Sequence, residues 1–170
     1  AGNGKMKLVD RWNYHNELGA QVPLQALRVM YAASGKQPAA CLLCDQRPVI
    51  EHGLYWMTPS TLDEGRYLTA ILNSETARAR GERYQARGQF DVRHFDKVPF
   101  NQPIPRFDGG NELHVALAEA AGRAEKIAAK VELPKGVKFQ RARGLVRAAL
   151  AEARISQRID DLVAELLDAV

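Results

Sequence analysis

Two cysteines, no long apolar run and almost no excess of charge of either sign are the first limits on what this chain does. Its longest apolar patches, such as Ala39 to Leu43, are soon interrupted by charge, well short of the roughly 18 apolar residues of a membrane span. No positively charged stretch leads into an apolar run, so no secretory signal is visible. The chain opens at Ala1-Gly2-Asn3-Gly4 without an initiator methionine and reads as an excised piece of a soluble, cytoplasmic protein with no membrane partner. Its 24 Lys and Arg against 20 Asp and Glu leave a net +4, so the distribution of charge carries more information than the total.

Metal and catalytic signatures are also missing. Cys41 and Cys44 lie three apart in a stretch with β-character, where such side chains point to opposite faces. A zinc site would want a second Cys or His pair, and His52 and His94 stand isolated, so buried core thiols are the expectation. Ser34, Ser60 and Ser156 have no Gly-x-Ser-x-Gly elbow, no His-Glu-x-x-His occurs, and Asp45 with Glu51 is too little for a nuclease.

What is present is 170 residues, 46% of them hydrophobic, enough for one compact domain or two small lobes. Residues 7–14, 27–33, 39–44 and 54–57 are rich in β-formers, with Ser34-Gly35-Lys36 a turn between two of them. Ser60 is placed to cap a helix running to about Asn73, with Leu62, Leu68, Ile71 and Leu72 on its apolar face. Asn73-Ser74 interrupts it before a basic helical stretch from Glu75 to about Arg87. The proline- and phenylalanine-bearing residues 88–110 read as an ordered connector pressed onto the core. Asn111 then caps a long helix with a seam of Leu113, Leu117, Ala120, Ala124, Ile127 and Val131, ended by Pro134-Lys135-Gly136. Helical stretches over 139–153 and 154–170 follow, the second with Ile155, Ile159, Leu162, Leu166 and Val170 on one face. Strands first and helices afterwards predict an α+β fold, a small mixed or antiparallel sheet ahead of a helical second half. The division expected is a sheet-bearing target-recognition lobe, 1–110, and a helical lobe, 111–170.

The strings Arg66-Tyr67-Leu68-Thr69-Ala70-Ile71-Leu72-Asn73-Ser74, Arg87-Gly88-Gln89, Arg93-His94-Phe95-Asp96-Lys97 and Pro103-Ile104-Pro105-Arg106-Phe107-Asp108 occur in that order. In order and spacing they resemble the C-terminal specificity domain of TaqI-like adenine-specific DNA methyltransferases and, similarly, the specificity subunits of type I restriction systems. In those proteins a leucine-rich helix ending in Asn-Ser precedes a variable stretch, and a Pro-Ile-Pro-like strand then leads into a long helix. Residues 11–21, 27–35 and 47–56 resemble the front of such domains, so the likeness covers most of the chain, with 66–108 its specific core. The resemblance implies a target-recognition module of a restriction-modification enzyme that binds duplex DNA. The methyl-transfer motif, Asn/Asp-Pro-Pro-Tyr/Phe, is not in the chain. Its nearest string, Asn101-Gln102-Pro103, lacks the paired prolines and the aromatic that would stack on a flipped adenine. No cofactor is expected in this fragment. S-adenosylmethionine would belong to a catalytic methyltransferase domain of the same chain or of a partner subunit.

The residues themselves supply a surface suited to that role. Between Thr76 and Lys97 stand Arg78, Arg80, Arg83, Arg87, Arg93 and Lys97 against Glu82, Asp91 and Asp96, a net +3, with Gln85, Gln89 and His94 adding uncharged hydrogen-bonding groups. Cations displace counterions along phosphates, and bidentate polar groups read base edges. The expectation is that the arginines carry affinity and that Gln85, Gln89, Arg93 and His94 contact bases. Three plainer readings stand beside it. Charge runs often only solvate a helix, and Arg143, Arg147, Arg154 and Arg158, a second basic stripe if 139–160 is one helix, are read that way. Trp12, Tyr14, Tyr55 and Trp56 are read as core before stacking platform. The apolar seams are read as core, and the rival function is a helical assembly module that docks a catalytic subunit without touching DNA.

Overall fold

The computed structural model describes residues 13–16, 18–33, 39–51, 53–84 and 98–169. Strands β1 (Leu27–Ala32), β2 (Ala40–Cys44) and β3 (Leu54–Met57) form one antiparallel sheet in the order β2-β1-β3. The predicted strand over 7–14 falls mostly outside the described residues, as does the Ser34-Gly35-Lys36 turn. Its last residue instead opens a short 3₁₀ turn, Tyr14–Asn16.

Alternation sorts the strands into two rows. Val29 and Tyr31 join the core, with Ala40, Leu42 and Met57 packed against it. Pairing puts Met30 opposite Cys41 and Trp56 on the other row. Cys41 and Cys44 therefore fall on opposite faces, but both thiols are exposed, which corrects the expectation of buried core cysteines. Cys41 sits on the row turned away from the helices and Cys44 is the last residue of β2. Tyr55 and Trp56 are each 37% exposed, so the core reading fails for both, although Tyr55 stacks on Tyr31 at 5.4 Å.

Helix α1 (Leu62–Asn73) lies across β1 and β2. Thr61, one residue past the expected cap, accepts the Glu64 N–H at 3.1 Å, and the Glu64 carboxylate accepts the Ser60 N–H, so two otherwise orphan donors are satisfied. Its inner face is wider than the leucine pattern suggested, because Gly65, Tyr67 and Ala70 are buried beside Leu68, Ile71 and Leu72, while Leu62 is exposed. Asn73 closes the helix by pinning β2: its amide donates to the Ala40 carbonyl at 2.9 Å and its carbonyl accepts the Ala40 N–H at 3.0 Å.

Helix α2 (Glu75–Gly81) follows directly, and Ser74 serves as the end of one helix and the cap of the next. Helix α3 (Glu112–Ala128) starts at Asn111, whose side-chain oxygen accepts the N–H groups of Leu113 and His114. It ends earlier than the seam predicted, so Val131 lies beyond it. Helices α4 (Phe139–Glu152) and α5 (Ile155–Asp168) complete the described chain. Arg154 between them adopts a left-handed conformation (φ 55°), so 139–160 is not one continuous helix.

One hydrophobic cluster joins the sheet, α1, α3 and α5 and so spans residue 110. Leu117 and Val163 are fully enclosed, each worth about 1.5–3 kcal/mol of apolar burial. Ile155, Ile159, Leu162 and Leu166 are buried as the periodicity predicted. Among the described residues no helix is long and apolar enough to cross a membrane.

Candidate nucleic-acid interface

Helix α2 presents two unlike stripes. Ala77 and Gly81 are buried, which their small side chains permit, Ala79 is exposed, and the half-buried Arg78 and Arg80 flank the buried stripe on its two sides, about 160° apart at about 100° per residue. Asp160 of α5 fixes the start of the helix by accepting the N–H groups of Glu75 at 2.7 Å and Thr76 at 3.3 Å. Burial pushes the Asp160 carboxyl above the usual carboxylate range, and the two backbone donors oppose that shift.

The helix stops at Gly81 and continues as a 3₁₀ turn over Glu82–Tyr84, shorter than the predicted extension to Arg87. Of the nine residues expected to meet DNA, Arg78, Arg80 and Arg83 are described. Gln85, Arg87, Gln89, Arg93, His94 and Lys97 lie outside the described residues. Arg78 reaches Glu75 at 2.6 Å and Glu82 at 4.0 Å. Arg80 reaches Asp168 of α5 at 2.5 Å. Arg83 is exposed and stacks over its neighbour Tyr84, 4.8 Å from the ring centroid. The Arg78 and Arg80 side chains remain 32% and 35% accessible. Ion pairs that open to water contribute about 0–1 kcal/mol, so a phosphate can replace the carboxylate at small cost.

The chain returns to α2 after residue 97. The turn Val98–Asn101 contacts that helix, and the Gln102 amide, 7% exposed, donates to the Ala77 carbonyl at 2.8 Å. The described residues before and after 85–97, the Glu82–Tyr84 and Val98–Asn101 turns, therefore both lie beside the same helix. Beyond Gln102 the Pro103-Ile104-Pro105 segment is not a strand, which corrects that element of the resemblance; its two prolines lack the N–H groups a ladder needs. It is held by side chains instead. The buried Tyr67 hydroxyl donates to the Pro105 carbonyl at 3.0 Å, and Phe107 and His114 pack on the Tyr67 ring with centroids 5.5 and 4.9 Å away. Burial raises the Tyr67 phenol to about 12.

Sequence reasoning missed Gln102, Tyr67 and Arg28. Gln102 shows a pattern in retrospect, a polar side chain flanking the prolines of the connector, whereas Tyr67 lies in α1, 38 residues from the Pro105 carbonyl it meets. Arg28, one position from Val29 on the alternate row, is almost wholly buried; its Nη2 donates to the Asp45 carbonyl at 2.7 Å, and its Nε and Nη1 have no partner. Nothing in a strand pattern marks such a residue as buried.

In the second basic stripe Arg143 and Arg147 belong to α4 and Arg158 to α5, with Arg154 at the break. Among the described residues no group of three His, Cys, Asp or Glu is placed to hold a metal ion. No protein-family model, curated protein or solved structure matches the chain.

Proposed function

We propose that this chain is the non-catalytic target-recognition module of an adenine-specific DNA methyltransferase or restriction-modification enzyme, and that it binds duplex DNA. The observation that carries the reading is the position of the described residues on either side of 85–97: the Glu82–Tyr84 turn continues α2, and the Val98–Asn101 turn and the buried Gln102 amide return to it. The sequence between them holds Gln85, Arg87, Gln89, Arg93, His94 and Lys97. Recognition residues work best when a rigid base presents them. Arg78, Arg80 and Arg83 on that base supply cations for phosphates, and the polar side chains of 85–97 supply base contacts. Methyl transfer, with S-adenosylmethionine, is assigned to a catalytic domain elsewhere in the same chain or in a partner subunit.

The rival reading, an assembly module docking a catalytic subunit, needs free apolar seams. Leu117 and Ala120 of α3 and Ile155, Leu162 and Leu166 of α5 are instead occupied within the chain's own core. That favours recognition over assembly.

The test is the salt dependence of binding to short duplexes. Each neutralised phosphate adds about −0.9 to the slope of log K against log salt, so the Arg78→Gln, Arg80→Gln, Arg83→Gln variant should flatten the slope by about 2 to 3. A flat wild-type slope removes the electrostatic basis of the reading.

A further inference from the structure

The positive charge of this protein is concentrated away from the predicted surface. Residues 135–158 hold Lys135, Lys138, Arg141, Arg143, Arg147, Arg154 and Arg158 against one acid, Glu152, a net +6. The whole chain carries +4, so the remainder sums to −2. Among the described residues none of these seven cations makes an ion pair, whereas Arg78 and Arg80 both do. Glu152, the last residue of α4, is the one acid on that helix.

The helix itself is arranged against its own electrostatics. Helices α1, α2 and α3 each begin with a side-chain cap and an acid in the first turn, which suits the positive end of the helix dipole. Helices α4 and α5 both begin without a side-chain cap or a first-turn acid, and in α4 the cap position is Lys138 and Arg141 stands in the first turn. Cations there repel the dipole and leave the free N–H groups without a negative partner. An external anion relieves both.

The exposed side of α4 is shaped for close approach. Gln140, Gly144, Ala148 and Ala151 are exposed and fall within roughly 80° of one another at about 100° per residue. Arg143 and Arg147 flank them on one side and Arg141 on the other. Nothing lies within 4 Å of the position a Gly144 Cβ would take. Arg143 is steadied over the Phe139 ring at 5.5 Å. A membrane-surface helix would turn bulky apolar residues outward along its length, but here Leu150 packs on the core, the outward ridge is of small residues with one glutamine, and the exposed Phe139 stands alone at the start of the helix. Low side chains with Arg143 and Arg147 on one side and Arg141 on the other fit a ridge of phosphates.

We infer that the exposed face of α4, with Arg141, Arg143 and Arg147, is a second contact of this protein with the phosphodiester backbone of duplex DNA, separate from the surface on α2. The inference rests on the DNA-recognition reading for the identity of the polyanion. Its role is affinity and orientation, since phosphate contacts carry no sequence information of their own.

The experiment measures binding of the full chain to a labelled duplex across salt, with thermal melting to verify folding. Arg141→Gln, Arg143→Gln, Arg147→Gln should flatten the log–log slope by about 2 to 3 and weaken binding equally for different duplex sequences. The control Arg123→Gln, Lys126→Gln, Lys130→Gln removes the same charge from exposed positions in and just after α3 and should change the slope by less than about 1. Equal flattening by both triples, or none by the α4 triple while the α2 triple flattens it, overturns the inference and leaves the recognition reading standing. Flattening by the α4 triple alone keeps the inference and removes the α2 surface. A wild-type chain that binds phosphatidylglycerol vesicles through α4 and no duplex overturns both.

Discussion

Arg80 of α2 and Asp168 at the end of α5 meet at 2.5 Å across 88 residues of sequence. The contact holds a proposed DNA-binding guanidinium to a carboxylate of the protein itself. It also ties α2 to the last helix.

That pairing makes Asp168 a competitor of phosphate. Asp168→Asn keeps the shape and removes the charge, so Arg80 should become available and duplex binding should tighten about two- to fivefold at low salt, the range expected for an accessible ion pair. The gain should vanish in the Arg80→Gln background. Binding that is unchanged in the single variant removes Arg80 from the interface.

Gly65 and Gly144 should respond to alanine in opposite directions, although both lie inside helices. A Cβ at Gly65 would sit 2.7 Å from Leu42 Cδ1 and 3.2 Å from Pro59 Cγ. The helix lies so close to β2 that Gly65→Ala should cost about 1–3 kcal/mol. Gly144 faces open space, so Gly144→Ala should stabilise by about 0.5–1 kcal/mol through reduced backbone freedom of the unfolded chain. At about 2–4 °C per kcal/mol, melting temperatures of the two variants should move apart on either side of wild type. Shifts in the same direction contradict the packing of α1 on the sheet.

His114 should make stability depend on pH. Its Nδ1 accepts the Asp108 N–H at 3.0 Å beside Tyr67 and Phe107. Burial lowers its pKa from the ordinary 6.5, against the opposing charge of Asp108. As pH falls below 6.5 the unfolded chain takes up a proton that the folded chain resists. The contribution of His114 is therefore complete above 6.5 and is lost as pH falls toward and through the folded-state value. Melting temperature should decline from about pH 7.5 to about 5.5 more steeply in wild type than in His114→Phe. Parallel declines assign the effect to other groups.

The elements legible in advance were those with short-range causes. Asn111 caps α3, Ser74 divides α1 from α2, and Ile155, Ile159, Leu162 and Leu166 mark a buried face, because caps and periodicity act within one or two turns. The α+β arrangement followed from them. Errors arose where a pattern ran past its physical end. The seam reached Val131 on paper, but α3 closes at Ala128, whereas the expected boundary between the last two helices, after residue 153, falls at the left-handed Arg154. The cysteines were placed inside because their neighbours are apolar, yet the face of the sheet on which a side chain falls depends on where the helices pack.

Local sequence alone settled which segments become strands and helices, where most helices begin, and which residues are greasy enough to form a core, because these depend on neighbours a few positions away. Tertiary structure alone decided which charges remain free. Glu75 and Thr76 meet Asp160, Arg80 meets Asp168 and Gln102 meets Ala77 only after distant segments pack. Because hydrogen bonds form only within a few ångströms and charges are screened over roughly 10 Å in salt solution, the charge a surface offers to a partner is set by distances that the order of residues does not contain.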